Sequence, residues 1–175
     1  MTPQRHHTLP PKAQSTFYSA NSFSILVVDD LPANRLLLKR LFHRVGYATH
    51  EAGDGVEALD LLTVGACPDL ILLDVEMPEM DGIEATRRLR DEHGMDVPII
   101  VASGNPSDEM RKAALAAGAD LFLTKPFDFP GLLKVIAKLL KDQVAGAGNR
   151  AGADSNLSVP EANRVSIRAA GKSSR

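Results

Sequence analysis

Residues 69–82, with the sequence Asp-Leu-Ile-Leu-Leu-Asp-Val-Glu-Met-Pro-Glu-Met-Asp-Gly, decide the fold of this chain. The run Leu70–Leu73 is apolar without polar alternation, which is typical of a strand buried on both faces of a parallel sheet. Asp74 then stands at the carboxyl end of that strand, the edge at which open α/β sheets bind their ligands. After a proline, Asp81 with Glu84 three residues later forms the capping-box signature of a helix start.

Four further strand–helix pairs flank this stretch. The other strands are predicted at Ser24–Val28, Tyr47–Glu51, Val97–Ala102 and Asp120–Thr124. Apolar residues at helical spacing predict five helices, with Asp54, Asp81 and Asp128 as caps and with Asn105 capping a fourth helix whose first position is Pro106. Five strand–helix units in about 120 residues need right-handed parallel crossovers, so they predict an α/β, doubly wound, five-stranded parallel sheet.

Composition divides the chain of 175 residues into a core and two flanks. Residues 23–141 carry 19 acidic and 13 basic side chains, whereas the flanks carry 3 and 7. Neither flank shows hydrophobic periodicity, so we predict a disordered arm at 1–22 and a disordered or weakly helical tail at 142–175, with a short helix near 160–170 as an alternative. The acidic core argues against nucleic acid as its direct ligand.

Cysteine content and hydropathy exclude several classes of protein. The single Cys67 excludes an intramolecular disulfide and a multi-cysteine metal site. No apolar run approaches the roughly 18 residues of a membrane span, and the first residues lack the apolar core of a secretory signal. We therefore expect a cytoplasmic protein without a membrane partner.

Polar side chains follow four of the predicted strands: Asp29, Asp30, Asp74, Ser103 and Lys125. Because carboxyl ends of parallel strands meet at one edge, we expect these side chains to converge. Three carboxylates within about 5 Å repel one another by roughly 3 kcal/mol per pair at an effective dielectric near 20, so they need raised pKa values or a cation. Mg²⁺ suits such an oxygen-ligand site.

A carboxylate beside Mg²⁺ and an ammonium group can act as a nucleophile toward phosphorus. In this arrangement Lys125 would neutralise charge on the phosphoryl group, and the Ser103 hydroxyl would donate to one of its oxygens. The chain has no GxxxxGK[ST] loop, so a nucleotide is not the obvious donor. A donor carried by another protein is favoured instead.

Residues 23–141 resemble the receiver domain of response regulators in two-component signalling. The resemblance is carried by Asp29-Asp30, by Asp74 with the run 77–82, by Ser103, and by Lys125-Pro126-Phe127. It implies a flavodoxin-like sheet with strand order 2-1-3-4-5 and five helices. It also implies a cis peptide bond before Pro126.

The resemblance implies a role for each residue at this edge. Asp74 would accept a phosphoryl group, and Mg²⁺ would be held by Asp30, Asp74 and the backbone carbonyl of Glu76, with Asp29 binding it through water. For the switch, Ser103 would supply the hydroxyl, Lys125 would contact a phosphoryl oxygen, and Phe122 would be the rotating aromatic.

The resemblance also implies partners. The phosphodonor would be a histidine kinase or a histidine phosphotransfer protein, and an unidentified downstream protein would read the changed surface. The 34 residues after Lys141 are few and polar for a DNA-binding module. We therefore expect a stand-alone receiver without direct DNA binding, either monomeric or dimerising on phosphorylation.

Several positions depart from the usual receiver pattern. Gly104 stands where alanine is common, and Phe122 lacks the hydroxyl of the commoner tyrosine. Glu76 and Asn105 occupy the two positions that resemble the family's rate-setting neighbours of the phosphorylation site. The run 30–35 is similar to receivers attached to hybrid kinases or phosphorelays.

Two other functions remain open from the residues. An Mg²⁺-dependent phosphohydrolase with an aspartyl nucleophile is the first, since Glu76 lies two residues after Asp74, where such enzymes use an acid. It leaves the Lys125-Pro126 and Asp29-Asp30 motifs unexplained. The second is a receiver that binds partners without being phosphorylated, and the intact set of site residues argues against it.

Overall fold

The computed structural model describes residues 23–150 and contains a five-stranded parallel sheet between two layers of helices. The strands are β1 Ser24–Val28, β2 Ala48–Ala52, β3 Leu70–Asp74, β4 Ile99–Ser103 and β5 Leu121–Thr124. The helices are α1 Pro32–Arg44, α2 Gly55–Thr63, α3 Gly82–Asp91, α4 Asp108–Ala116 and α5 Phe129–Arg150. The strand order is β2-β1-β3-β4-β5 with every pair parallel, which confirms the predicted fold class.

The central strand β3 explains why its sequence does not alternate. All five of its residues are buried, because helices cover both faces of the sheet. Ile71 and Leu73 pack on the face covered by α2, α3 and α4, whereas Leu70 and Leu72 pack on the face covered by α1 and α5. The run 70–73 therefore belongs to two separate cores, and its direction carries Asp74 to the carboxyl edge.

The three predicted helix caps are present, although the capping box of Asp81 and Glu84 is incomplete. The carboxylates of Asp54, Asp81 and Asp128 each accept a hydrogen bond from a backbone N–H in the first turn of the following helix. Glu84 does not return a bond to the start of α3, because Arg87 and Arg88 on the same helix pair with its carboxylate. Asp81 therefore predicted the start of α3 correctly. The Glu84 carboxylate, which would have completed the capping box, is paired with Arg87 and Arg88 instead.

The predicted start of the fourth helix is wrong by two residues. The cap is Ser107, whose hydroxyl accepts the N–H of Met110, and α4 begins at Asp108. The N–H of Asn105 instead donates to the hydroxyl of Ser103, which ties this residue to the end of β4. Asn105-Pro106 therefore lies in the connection rather than at the helix start.

Other boundaries move by a few residues. Strand β2 begins one residue later than expected because the N–H of Tyr47 closes the turn after α1 by donating to the carbonyl of Phe42. Helix α5 continues past Lys141 to Arg150. The predicted arm at 1–22 and the possible helix near 160–170 lie outside the described residues, so the domain limits stay predictions. Within the described range, no helix is both long and apolar enough to cross a membrane.

Gly82 sets how closely α3 approaches the end of β3. A Cβ at this position would lie 2.1 Å from the carbonyl oxygen of Asp74, and the N–H of Gly82 donates to the carbonyl of Val75 at 3.2 Å. Because the clash is with backbone, no side-chain rotation can relieve it. The glycine is therefore required for the turn that presents Asp74.

We expect Gly82→Ala to lower the free energy of unfolding by about 2 kcal/mol or more, since the added methyl must displace backbone in a packed region. Gly104→Ala is the matched control. A Cβ at Gly104 meets nothing within 4 Å, so its stability should stay within about 0.5 kcal/mol of wild type or rise slightly. Urea unfolding followed by circular dichroism measures both, and equal midpoints for Gly82→Ala and wild type would contradict the argument.

Candidate functional site

The carboxyl edge of the sheet brings the predicted site residues together. Asp29 follows β1, Asp74 and Ser103 end β3 and β4, and Lys125 follows β5. Asp29, Asp74 and Ser103 are buried, with 2%, 7% and 0% of their surface exposed. Asp30 is exposed, yet one of its carboxylate oxygens lies within 4.8 Å of oxygens of Asp29 and Asp74.

Lys125 bridges the two buried carboxylates. Its Nζ lies 2.7 Å from Asp29 Oδ2 and 2.7 Å from Asp74 Oδ2. Burial alone would lower the pKa of this ammonium group, but the hydrogen bonds and negative charges of Asp29 and Asp74 raise it above its ordinary value. Lys125 is therefore charged. The peptide bond between Lys125 and Pro126 is cis, as the resemblance implied.

Asp29 is held by more donors than the sequence indicated. Its carboxylate accepts the N–H of Leu31 at 3.0 Å and the side-chain amide of Asn34 at 3.0 and 3.1 Å, in addition to Lys125. Arg35 donates to the carbonyl oxygens of Asp29 and Asp30. Sequence reasoning missed the roles of Asn34 and Arg35, although the run 30–35 to which they belong was recognised as a signal.

The two carboxylate oxygens of Asp74 have different surroundings. Its Oδ2 contacts Lys125, whereas its Oδ1 is buried without a hydrogen-bond partner among the described residues. The pKa of Asp74 is raised to about 6, chiefly by burial and also by the charge of Asp29 and the nearby Glu76 carboxyl, while Lys125 opposes the increase. A buried carboxylate with an unpaired oxygen is costly unless a cation or a reaction partner meets it.

The acidic cluster suits a hard divalent cation. It offers carboxylate oxygens from Asp29, Asp30 and Asp74, which are the ligand type that Mg²⁺ prefers. One of the oxygens, Asp74 Oδ1, lacks any other partner in the described structure. The residues present therefore fit the metal that the sequence predicted.

Ser103 contacts Glu76 in a way the sequence did not indicate. Its hydroxyl donates to Glu76 Oε1 at 2.6 Å and accepts the N–H of Asn105 at 3.0 Å. Partial burial would raise the pKa of Glu76, but the hydroxyl of Ser103, the neighbouring Asp74 carboxyl and the N–H groups of Glu76 and Gly104 together lower it. The side chain of Glu76, rather than its carbonyl alone, takes part in the site.

Phe122 lies in the apolar core instead of among the carboxylates. Only 3% of its surface is exposed, and it packs with residues of α3 and α4. The guanidinium carbon of Arg111 on α4 stands 5.0 Å from the centroid of its ring, within the range of a cation–π contact. The aromatic therefore points inward and is covered by a charged side chain from the preceding helix, α4.

Comparison with known proteins shows one family. The model of the response regulator receiver domain matches residues 25–137. The response regulator MprA of Mycobacterium tuberculosis (strain ATCC 25177 / H37Ra) is 46% identical over 120 residues, which cover 69% of this chain and 51% of MprA. The sensor protein EvgS of Escherichia coli (strain K12) is 38% identical over 136 residues, covering 78% of this chain and 11% of EvgS. The chain thus spans about half the length of MprA.

Solved structures of receiver domains have the same fold. A CheY-like receiver domain protein from Methanospirillum hungatei JF-1 aligns with a TM-score of 0.68 at 28% identity, covering 72% of this chain and 99% of that one. The receiver domain of the Francisella response regulator 1452 aligns with a TM-score of 0.65 at 34% identity, covering 70% and 99%. Both coverages show that the alignment takes in nearly the whole of each solved domain.

We expect Asp74→Asn to stabilise the metal-free protein. Folding raises the Asp74 pKa from its ordinary value of 3.8 to about 6, so the folded state binds the proton more tightly than the unfolded state. The contribution of Asp74 to stability therefore falls as the pH rises from about 4 through 6. Because one pKa unit corresponds to about 1.4 kcal/mol, the gain of the Asn variant at pH 7.5 should be about 1–3 kcal/mol and should shrink toward pH 4.

Chemical unfolding in EDTA at several pH values measures this gain. The matched control is Asp30→Asn, which removes an exposed acid of the same cluster and should change stability by about 0.5 kcal/mol or less. An Asp74→Asn protein no more stable than wild type at pH 7.5, or a gain that does not depend on pH, would contradict the assignment of a buried, destabilising carboxylate.

Proposed function

This chain belongs to the response regulator receiver domain family, and on that premise we propose that Asp74 accepts a phosphoryl group from a phosphohistidine on a partner protein. Receiver domains of this family are phosphoacceptor switches in two-component signalling. The assignment to Asp74 rests on the different hydrogen bonding of its two carboxylate oxygens. Oδ2 is paired with Lys125, while Oδ1 meets no hydrogen-bond donor within the described structure and so keeps its lone pairs for a new partner.

The transfer makes one bond and breaks another. An oxygen of ionised Asp74 attacks phosphorus, the phosphorus–nitrogen bond to histidine breaks, and the imidazole keeps the electron pair, giving an aspartyl phosphate. Lys125, already between Asp29 and Asp74, would contact a phosphoryl oxygen. The hydroxyl of Ser103 would donate to another of these oxygens and so couple the modification to β4.

Mg²⁺ is the proposed cofactor. Asp30, Asp74 and the backbone carbonyl of Glu76 would hold it directly. Asp29 would bind it through water, since the Asp29 carboxylate already accepts hydrogen bonds from Leu31, Asn34 and Lys125. When bound, the metal neutralises negative charge on the phosphoryl group in transit. Asn34 and Lys125 keep Asp29 oriented at the side of the cluster.

An open cavity beside the cluster marks the surface at which a protein phosphodonor would dock. It has a volume of about 410 Å³ and is lined by Asp29, Asn34, Leu37, Lys125 and Phe127, among others. Leu37 on α1 is 51% exposed at its margin. A histidine kinase or histidine phosphotransfer protein that presents its phosphohistidine to Asp74 would cover this surface.

We propose four further features of this function. These are an unidentified downstream protein, no direct DNA contact by the acidic segment 23–141, a cytoplasmic location, and a monomer that dimerises, if at all, on phosphorylation. The phosphohydrolase alternative needs Glu76 as a free acid, but its carboxylate accepts the hydroxyl of Ser103 at 2.6 Å. We therefore favour the switch, with slow loss of its own phosphoryl group as its only turnover.

Incubation with acetyl phosphate and Mg²⁺, followed by intact-mass measurement, tests the proposal. We expect one labile phosphoryl adduct, which is lost in Asp74→Asn and when EDTA replaces the metal. Asp60→Asn, an exposed acid on α2, should form the adduct as wild type does. Adduct formation by the Asp74→Asn variant would refute the assignment, and many cycles of hydrolysis per minute on a generic phosphoester would favour the phosphohydrolase.

A further inference from the structure

The hydroxyl of Ser103 already has a partner. It carries one proton, and that proton is donated to Glu76 Oε1 at 2.6 Å. Ser103 is completely buried, so water cannot offer its hydroxyl an alternative acceptor. A phosphoryl group on Asp74 can accept this proton only if Glu76 releases it. The Glu76 carboxylate and the phosphoryl group therefore compete for a single donor.

Glu76 also lies where a small anion would be bound. The hydroxyl of Ser103 donates to its carboxylate, and the N–H groups of Glu76 and Gly104, with the Asp74 carboxyl, help to lower its pKa. A hydroxyl and backbone N–H groups gathered beside a nucleophilic carboxylate form a set of donors suited to the oxygens of a phosphoryl group. In this chain the set is already occupied by a carboxylate from two residues after the nucleophile.

We infer that Glu76 acts as an internal surrogate for the phosphoryl group, holding Ser103 toward the site in the unmodified protein. The inference rests on the proposed function and adds a regulatory contact to it. It follows that phosphorylation must displace the Glu76 side chain, which is exposed and free to swing toward solvent. Glu76 is thus a positioning residue for Ser103 and an obstacle to entry of the phosphoryl group.

The connection that follows Ser103 and the buried ring of Phe122 agree with this hydrogen bond between Glu76 and Ser103. The Ser103 hydroxyl accepts the N–H of Asn105, so its position is passed to the connection that leads into α4. On the neighbouring strand, Phe122 is buried beneath Arg111 of α4. Both parts that the switch would move, the hydroxyl and the aromatic ring, therefore already point inward before modification.

Nuclear magnetic resonance of the unmodified protein tests the surrogate directly. We expect Glu76→Ala to shift the amide resonances of Ser103 and Asn105 and the ring resonances of Phe122. Glu76→Gln should leave them close to wild type, because the glutamine carbonyl can still accept the hydroxyl. Glu79→Ala, which removes an exposed acid from the same loop, is the matched control and should leave them unchanged.

Phosphorylation rates with acetyl phosphate and Mg²⁺ give a second readout. Loss of the competing contact should make Glu76→Ala react about tenfold faster than wild type, in line with the loss of one charge-assisted hydrogen bond. Glu76→Gln should lie between them, since it lacks the charge but keeps the acceptor. In a Ser103→Ala background the difference between Ala and Gln at position 76 should disappear.

The resonances and the phosphorylation rates distinguish a failure of the surrogate role of Glu76 from a failure of the proposed function of Asp74. Unchanged Ser103, Asn105 and Phe122 resonances in Glu76→Ala, or the same shifts in the Gln and Ala variants, would overturn the surrogate whatever the phosphorylation rates. Equal rates for the Gln and Ala variants would also overturn it, because charge alone would then explain the effect. Absence of an adduct in every variant would refute the proposed function, while the resonances of the unmodified proteins would still decide the role of Glu76.

Discussion

The site depends on one partly buried ammonium group, that of Lys125. Lys125 Nζ lies 2.7 Å from carboxylate oxygens of both Asp29 and Asp74, and so it joins the ends of β1, β3 and β5. Removing a charge from water costs several kcal/mol unless a partner of opposite charge meets it, and here one cation serves two anions. Without Lys125 the two buried carboxylates would face each other, and the carboxyl edge would lose the contact that keeps them in place.

That arrangement leaves negative charge uncompensated, and the excess suits the site to a cation. Lys125 balances one of the two buried carboxylates, the exposed Asp30 adds a third, and Asp74 Oδ1 has no partner among the described residues. The protein therefore holds a carboxylate in a state that is unfavourable by itself and that becomes favourable when a cation binds beside it. Proteins tolerate such a violation of pairing at functional sites because the rest of the fold stabilises it.

A fourth acid, Glu76, adds a hydrogen bond at the edge of this site. Glu76 directs its carboxylate to Ser103, so a group outside the Lys125 bridge takes the hydroxyl that the switch would use. All of these residues lie between positions 29 and 125, inside the segment that the receiver family model matches. The segment of this chain that matches the family thus contains the Lys125 bridge, the exposed Asp30 and the Glu76–Ser103 contact together.

Much of this could be predicted from the sequence, because local patterns report local physics. The apolar run 70–73 predicts a strand covered on both faces, and acids at 54, 81 and 128 predict helix starts, because burial and capping involve residues a few positions apart. The choice of long-range partners could not be predicted in the same way. Asn34 holding Asp29, and Glu76 meeting Ser103 across 27 positions, depend on how deeply each strand end and each loop sits in the packed sheet. The sequence by itself determined which residues reach the carboxyl edge, and only the tertiary structure decided which of them pair there, because hydrogen bonding requires distances that many separate packing contacts set together.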